Sequence, residues 1–467
     1  MSADLTAGRG PTHFRPYPVY KDSGVEWLGR IPDHWTIAPL YGRYDIALGK
    51  MLDASRISGE HLRPYLRNVD VQWDRINLRD LPEMDFDTPD RIRYSLRSGD
   101  LLVCEGGEVG RTAVWTGELQ ECYYQKALHR LRPYSGSDIP RFFYYVMYAS
   151  SKAGRFTAGT NPNTIDHLTA VQLSRYRFAF PPPNEQRTIA GFLDRETAKI
   201  DALVAKKERL IELLQEKRTS LVTGAVTKGL DPNAPMMDSG VESLGEIPRH
   251  WAVERIRHIV GRIEQGWSPE CENREAEENE WGVLKAGCVN GGVFLESEHK
   301  ALPSSLQPIR DLEIAAGDLL MSRASGSREL VGSVAVVPMC RPRLLLCDKV
   351  FRLHVNAERV DRRFLALAMN SRIARWQIEV ALSGGSGLAN NIAQQFVKGL
   401  TVVLPARSEQ EAIVDFLDRE TARMDALAAR IRDAIDRLKE FRTALVSAAV
   451  TGKIDVRDDL GAEGTEA

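Results

Sequence analysis

One stretch of this sequence occurs twice. Residues 183–229 read PNEQRTIAGFLDRETAKIDALVAKKERLIELLQEKRTSLVTGAVTKG, and residues 407–453 read RSEQEAIVDFLDRETARMDALAARIRDAIDRLKEFRTALVSAAVTGK. They align without a gap at an offset of 224 and share Glu-Gln, Phe-Leu-Asp-Arg-Glu-Thr-Ala, Asp-Ala-Leu, Arg-Thr and Ala-Val-Thr. Apolar residues step by three and four: Ile200, Leu203, Leu210, Leu214 and Leu221 in the first copy, and Met424, Leu427, Ile431, Ala434, Leu438, Phe441 and Leu445 in the second. That spacing predicts helices with a coiled-coil stripe. Lys207 and Lys217 stand where the second copy has Ile431 and Phe441, so the first stripe is imperfect. Each copy is expected to open with a short helix, with Asp194 and Asp418 then capping a longer helix of about 30 residues, roughly 45 Å. Gly224 and Gly452 are the expected stops.

The duplication reaches further. DSGVEWLGRIPDHW at 22–35 recurs as DSGVESLGEIPRHW at 238–251, with eleven of fourteen positions identical. SGDLLV (98–103) pairs with AGDLLM (316–321), VGRTAVW (109–115) with VGSVAVV (331–337), and Arg67 with Lys285. A period near 220 residues is too long for a solenoid. Each unit therefore has an opening motif, a divergent globular region and a nearly fixed helical stretch. Short β-rich runs such as LLVC, TAVW and VFRLHV lie among glycines, and residues 140–156 and 361–376 read as amphipathic helices. RYRFAFPPP and LTVVLP are expected as the strands that close each domain. Strands and helices without regular βαβ alternation indicate an α+β class.

At 467 residues the chain exceeds one ordinary core. Hydrophobic residues make up 43% and charged residues 27%, and no apolar run is long enough to span a membrane. The first fifteen residues lack the apolar core of a secretory signal. Six cysteines form no CxxC pair, which favours reduced thiols over disulfides or zinc. The net charge of −2 argues against a generic nucleic-acid binder, but not against one with cations gathered on one face.

Catalytic signatures are missing from the sequence. PPPN (181–184) and NPNT (161–164) have the wrong order for an amino-methyltransferase motif, and there is no GxxxxGK[ST] loop. Pro89-Asp90 with Glu105 faintly suggests a metal nuclease, but Gly107 stands where its lysine belongs. GSGLAN (385–390) is one residue short of GxGxxG and reads as a loop. His34 and His250 belong to the repeated opening motif and are expected to be structural.

The paired landmarks resemble the specificity subunits of type I restriction–modification systems. The carriers are Gly-x-x-x-x-Gly-x-Ile-Pro-x-x-Trp at 24–35 and 240–251, Gly-Asp-Leu-Leu at 99–102 and 317–320, the Glu-Gln openings at Glu185 and Glu409, and the two Phe-Leu-Asp-x-Glu-Thr-Ala stretches. The resemblance implies two target-recognition domains, each reading half of a split, asymmetric site on double-stranded DNA. Long antiparallel coiled-coil helices would join them with pseudo-two-fold symmetry. The expected divisions are 1–16 disordered, 17–182 first recognition domain, 183–229 spacer helices, 230–404 second domain, 405–454 spacer helices and 455–467 acidic tail. The resemblance implies a cytoplasmic, non-catalytic subunit without cofactor. It would dock two DNA-methyltransferase subunits, with motor-nuclease subunits able to join. S-adenosylmethionine, ATP and Mg²⁺ would belong to those partners. A stand-alone DNA-processing enzyme and a coiled-coil adaptor without DNA binding are the alternatives.

Reading DNA needs cations, amides and hydroxyls at a groove. The candidates in the first unit are Arg67, Asn68, Arg111, Lys126, Thr160, Asn161 and Asn163. In the second they are Lys285, Arg323, Ser325, Arg328, Lys349, Asn390 and Asn391. Spacer and partner contacts are expected along Leu203, Leu210, Leu214, Leu221, Leu427, Ile431, Leu438 and Leu445. The acidic run at 269–280 is expected to lie away from the DNA, since phosphates would repel it.

Overall fold

The computed structural model describes residues 14–52, 58–157, 167–383 and 391–458. The chain divides into two compact units, Met1–Lys207 with Asp433–Ala467 and Glu208–Arg432. Both long helices, Pro183–Lys228 and Arg407–Val450, therefore give one part to each unit.

In the first unit a four-stranded antiparallel sheet runs in the spatial order Thr112–Val114, Leu101–Cys104, Leu128–Pro133, Tyr44–Leu48. Leu101, Leu102, Val103 and Cys104 are all buried, because both faces of that strand are covered. A smaller sheet orders Tyr123–Tyr124, Leu62–Leu66 and Glu83–Asp85, its first pair parallel. Helix Pro140–Lys152 starts with proline, where no N–H is needed, and buries Phe142, Phe143, Tyr144 and Tyr145. Phe143 packs on Tyr44, Phe178 and Phe180 with ring centroids 4.7, 5.3 and 6.0 Å away. The last two lie on strand Arg177–Phe180, which pairs with Thr36–Pro39.

The second unit repeats this plan. Its sheet runs Val334–Val336, Leu319–Ser322, Val350–Val355, Val260–Gln265, and its small sheet joins Leu344–Leu345 parallel to Gly282–Leu284. Strand Thr401–Leu404 pairs with Ala252–Arg255. The helix expected over 361–376 is broken at Ser371 into Arg362–Asn370 and Arg372–Ser383. Both units are α+β.

The repeated Glu-Gln has a structural purpose. Glu185 accepts hydrogen bonds from the Tyr17 hydroxyl at 2.6 Å and the Trp35 indole N–H at 2.9 Å, and His34 Nε2 lies 2.7 Å away. Burial and that bond to Glu185 push the Tyr17 hydroxyl far above its ordinary pKa, so it remains a donor. Gln186 accepts from the Ile139 N–H at 2.9 Å, just before the domain helix, and donates to the Pro181 carbonyl at 2.9 Å. In the other unit Gln410 accepts from Asp361 N–H at 2.8 Å and donates to the carbonyls of Arg359 and Pro405 at 2.9 Å.

The long helices differ from the sequence expectation in three ways. Each is continuous through Asp194 or Asp418, because Phe-Leu-Asp-Arg-Glu-Thr-Ala contains no breaker. Asp194 instead takes hydrogen bonds from Arg141 and the Tyr145 hydroxyl, both at 2.7 Å. Gly224 lies inside the helix, and Gly229 at φ +75° follows its end, as Gly452 at φ +68° follows that of the second helix. The buried stripe also runs one residue beyond several expected leucines. Leu203, Leu210 and Leu427 are 43%, 43% and 45% exposed, whereas Val204 and Ala428 are buried. Leu214, Leu221 and Leu438 are half-buried, and Ile431 and Leu445 are buried. Pairs such as Leu203-Val204 and Leu210-Ile211 offer two apolar frames, and packing selects one.

Within each unit the helix segments run antiparallel. In the first, Gly452 at one helix's end lies against Pro32 and Trp35, which the other helix's Glu185 holds at its start. Asp201 pairs there with Arg442 at 2.9 Å. In the second, Gly229 at one end lies beside Trp251 and Glu409 near the other start, and Arg218 faces Asp425 at 3.5 Å.

Candidate nucleic-acid interface

Most of the candidate residues collect at one end of the four-stranded sheet in each unit. In the first, three segments meet there: the 3₁₀ turn Asn68–Asp70, the loop after Cys104, and residues 125–127. Gly49 permits the last of these to come close, since a Cβ at that position would lie 2.3 Å from the Gln125 carbonyl oxygen. Arg67 forks onto Asp70 with two contacts of 2.8 Å. Asn68 donates to the Gly106 carbonyl at 3.1 Å, and Arg111 donates to the Asn68 backbone and side-chain oxygens at 2.9 Å each. These three polar residues hold the loops together. Lys126 is exposed, and its ammonium has no partner among the described residues.

The second unit repeats the frame with different side chains. Gly266 takes the role of Gly49, with an added Cβ 2.0 Å from the Leu346 carbonyl oxygen. Arg323 donates to the Asp348 carbonyl at 3.1 Å and lies 5.9 Å from the Phe351 ring centroid. Lys349 faces Asp348 at 3.3 Å, and Ser325 Oγ accepts from Ser327 N–H at 3.3 Å. Asn391 is exposed and bridges Ala324, next to Arg323. Lys285 begins the 3₁₀ turn as Arg67 does in the first unit, 3.9 Å from Glu298. Arg328 turns away and donates to the Glu379 carbonyl at 3.0 Å. Thr160, Asn161, Asn163 and Asn390 lie outside the described residues.

Among the described residues the cysteines near the site are not activated as nucleophiles. Burial raises the Cys104 thiol to about 11, against the nearby Arg111, and raises Cys122 and Cys347 to about 12. Among the described residues no group of His, Cys, Asp and Glu could hold a metal, and no helix is long and apolar enough to cross a membrane. In the acidic run, Arg274 pairs with Glu280 at 2.6 Å, and Arg341 donates to the carbonyls of Ala276 and Glu277 at 2.6 Å.

A family model described as the type I restriction modification DNA specificity domain matches residues 87–213. The EcoKI specificity subunit of Escherichia coli (strain K12) is 23% identical over 448 residues, covering 91% of this chain and 90% of that protein. The StySPI specificity subunit of Salmonella potsdam is 22% identical over 443 residues, with the same coverage of 91% and 90%. Over nine-tenths of its length the chain is similar to specificity subunits of type I restriction–modification systems. A third relative, the EcoEI specificity subunit of Escherichia coli, is 29% identical over 243 residues, spanning 52% of this chain and 40% of that protein. Two solved structures share the fold. One is a chain from work on assembly and conformational transition of the type I R-M system, with TM-score 0.69, 16% identity, and 90% of this chain and 98% of that chain covered. The other is the HsdS subunit from Thermoanaerobacter tengcongensis, with TM-score 0.52, 17% identity, and 91% and 98% covered.

Sequence spacing pointed to these loops as candidates, but not to the contacts each residue makes in them. Asn68 and Arg111 are joined by tertiary hydrogen bonds that no spacing reveals. Glu105, set aside as part of a nuclease-like string, lies among the same loops. The signal that could have found it is the repeat itself, because Arg323 stands at the matching position.

Proposed function

We propose that this chain reads DNA without performing chemistry on it. Each unit reads one half of a split, asymmetric site. The long helices set the spacing of the halves and dock two methyltransferase subunits, and motor-nuclease subunits can join. S-adenosylmethionine, ATP and Mg²⁺ belong to those partners, and the assembly works in the cytoplasm. One observation carries the reading: two sheet ends share their backbone frame and differ in their polar side chains. Gly110 and Gly332, at φ +80° in both, donate to the Cys104 and Ser322 carbonyls, yet the next residue is Arg111 in one copy and Ser333 in the other. A fixed frame with exchanged donors and acceptors suits two readers of different sequences.

Mapping methylation in a host that expresses this chain with its modification subunits tests the proposal. A split motif is expected, and exchanging residues 17–180 for those of a relative should alter one half only. A change in both halves, or a motif without an unread spacer, would overturn the two-reader reading. Cleavage or modification of DNA by the purified chain alone with Mg²⁺ would overturn the non-catalytic one.

A further inference from the structure

We propose that Glu105 reads a base. Its carboxylate accepts a hydrogen bond from an exocyclic amino group in the major groove, cytosine N4 foremost, within the half-site of the first unit. This rests on the reading above and adds the residue and the base chemistry.

The two copies fix the position independently. Strand Leu101–Cys104 pairs with 128–131 as Leu319–Ser322 pairs with 350–353. The next residue, Glu105 or Arg323, donates its N–H to the Ala127 or Lys349 carbonyl, at 3.0 and 2.8 Å. Its own carbonyl accepts from Leu168 or Ile392, at 2.8 and 2.9 Å. Four backbone bonds thus place a carboxylate and a guanidinium at equivalent points of the two frames.

Glu105 is half-buried, and its side chain takes no hydrogen bond or ion pair among the described residues. Gly106 and Gly107 follow it, the latter at φ +75°, so no side chain there keeps a groove from approaching. The corresponding run after Arg323 is Ala324-Ser325-Gly326, also small. Asn68, Arg111, Gln125 and Lys126 belong to the same cluster of loops.

A carboxylate facing phosphates contributes only repulsion. On a DNA-reading surface it is useful where it meets a donor on a base edge, and the carboxylate's base partner is the cytosine amino group. Arginine's is guanine O6 and N7. The reversal of charge at one backbone position therefore matches two half-sites of different sequence.

Methylation mapping with the complete complex carrying Glu105→Gln tests this. Glutamine keeps the size and removes the charge. The first half-site should lose discrimination at one position that demands an amino-bearing base, by about tenfold or more, while the second half-site and the spacer stay as in the wild type. Glu105→Asp should keep the base preference at a lower methylation rate. A first half-site unchanged in Glu105→Gln would overturn the proposal. So would a uniform rise in methylation at all sites, which marks a charge that merely repels phosphate. If the wild-type complex gives no split motif, the two-reader reading itself has failed, and this assignment falls with it.

Discussion

The joint between domain and long helix is built differently in the two units. In the first, Arg141 on the domain helix reaches Asp194 at 2.7 Å, pairs with Asp74, and lies over the rings of Tyr144 and Tyr145 at 4.8 and 5.1 Å. Asp74 holds a left-handed φ of +57° at the tip of its hairpin. In the second, the matching Arg363 meets Asp418 at 3.3 Å and Asp415 at 3.8 Å, with all three side chains at least half exposed. The opening motifs differ likewise. Trp35 donates its N–H to Glu185, whereas the Trp251 indole nitrogen is buried without a partner among the described residues. Asn233 stands where the repeat offset places a counterpart to Tyr17. The repeated residues thus supply a common frame, and unrepeated neighbours determine how firmly each joint is held.

Four paired variants test that comparison. Removing the opening tryptophans should have the largest effect. Trp35→Ala and Trp251→Ala should each cost about 3–5 kcal/mol, with Trp35→Ala about 1 kcal/mol the greater, because it also loses a hydrogen bond. Denaturant unfolding measures both, and equal losses would remove the asymmetry at the opening motif.

Gly452→Ala should follow. Its Cβ would lie 2.3 Å from the Pro32 ring, against 3.2 Å from the Trp251 ring for Gly229→Ala. Both variants strain a left-handed residue by about 1–2 kcal/mol, and the clash at Pro32 should add about 1 kcal/mol. A melting temperature lowered equally by the two would show that the Pro32 side yields.

Arg141→Ala should cost about 2 kcal/mol, the range of charge-assisted hydrogen bonds after partial screening. Arg363→Ala should cost less than about 1 kcal/mol. Comparable unfolding free energies for the two would mean that the tighter geometry of the first joint adds no stability.

The smallest effect concerns acid. Burial raises the pKa of Glu108 and of Glu264, but hydrogen bonds outweigh it and hold both below the ordinary 4.5. The donors are Lys152 and Trp73 for Glu108, and His354 and Arg352 for Glu264. Their stabilisation is therefore present above pH 4.5 and is lost as pH falls through the depressed folded values. Glu264 is 9% exposed and Glu108 40%. Glu264→Gln should therefore flatten the acid-unfolding profile more than Glu108→Gln. The reverse order would contradict the reading that enclosure strengthens the second network.

Both long helices, the closing strands and the α+β class can be read from period and repeat, because these depend on local spacing. The apolar frame could not be read, since Leu203 and Val204 are both apolar and only packing in the folded chain buries one and exposes the other. Asp194 shows the same limit. Alone it resembles a helix cap, and only Arg141 and Tyr145, more than forty residues away, make it an anchor within a continuous helix.

The sequence by itself determined the duplication, the order of domain and helix in each unit, and the resemblance to a family. These rest on identities aligned within one chain and on periodicities of three to four residues. The tertiary structure decided which polar groups are used internally and which stay open. Arg67, Asn68 and Arg111 are engaged within the first unit, whereas Glu105 and Lys126 have no partner among the described residues. The reason is physical: a side chain's availability depends on what chain distant in sequence brings within about 3 Å of it, the reach of a hydrogen bond.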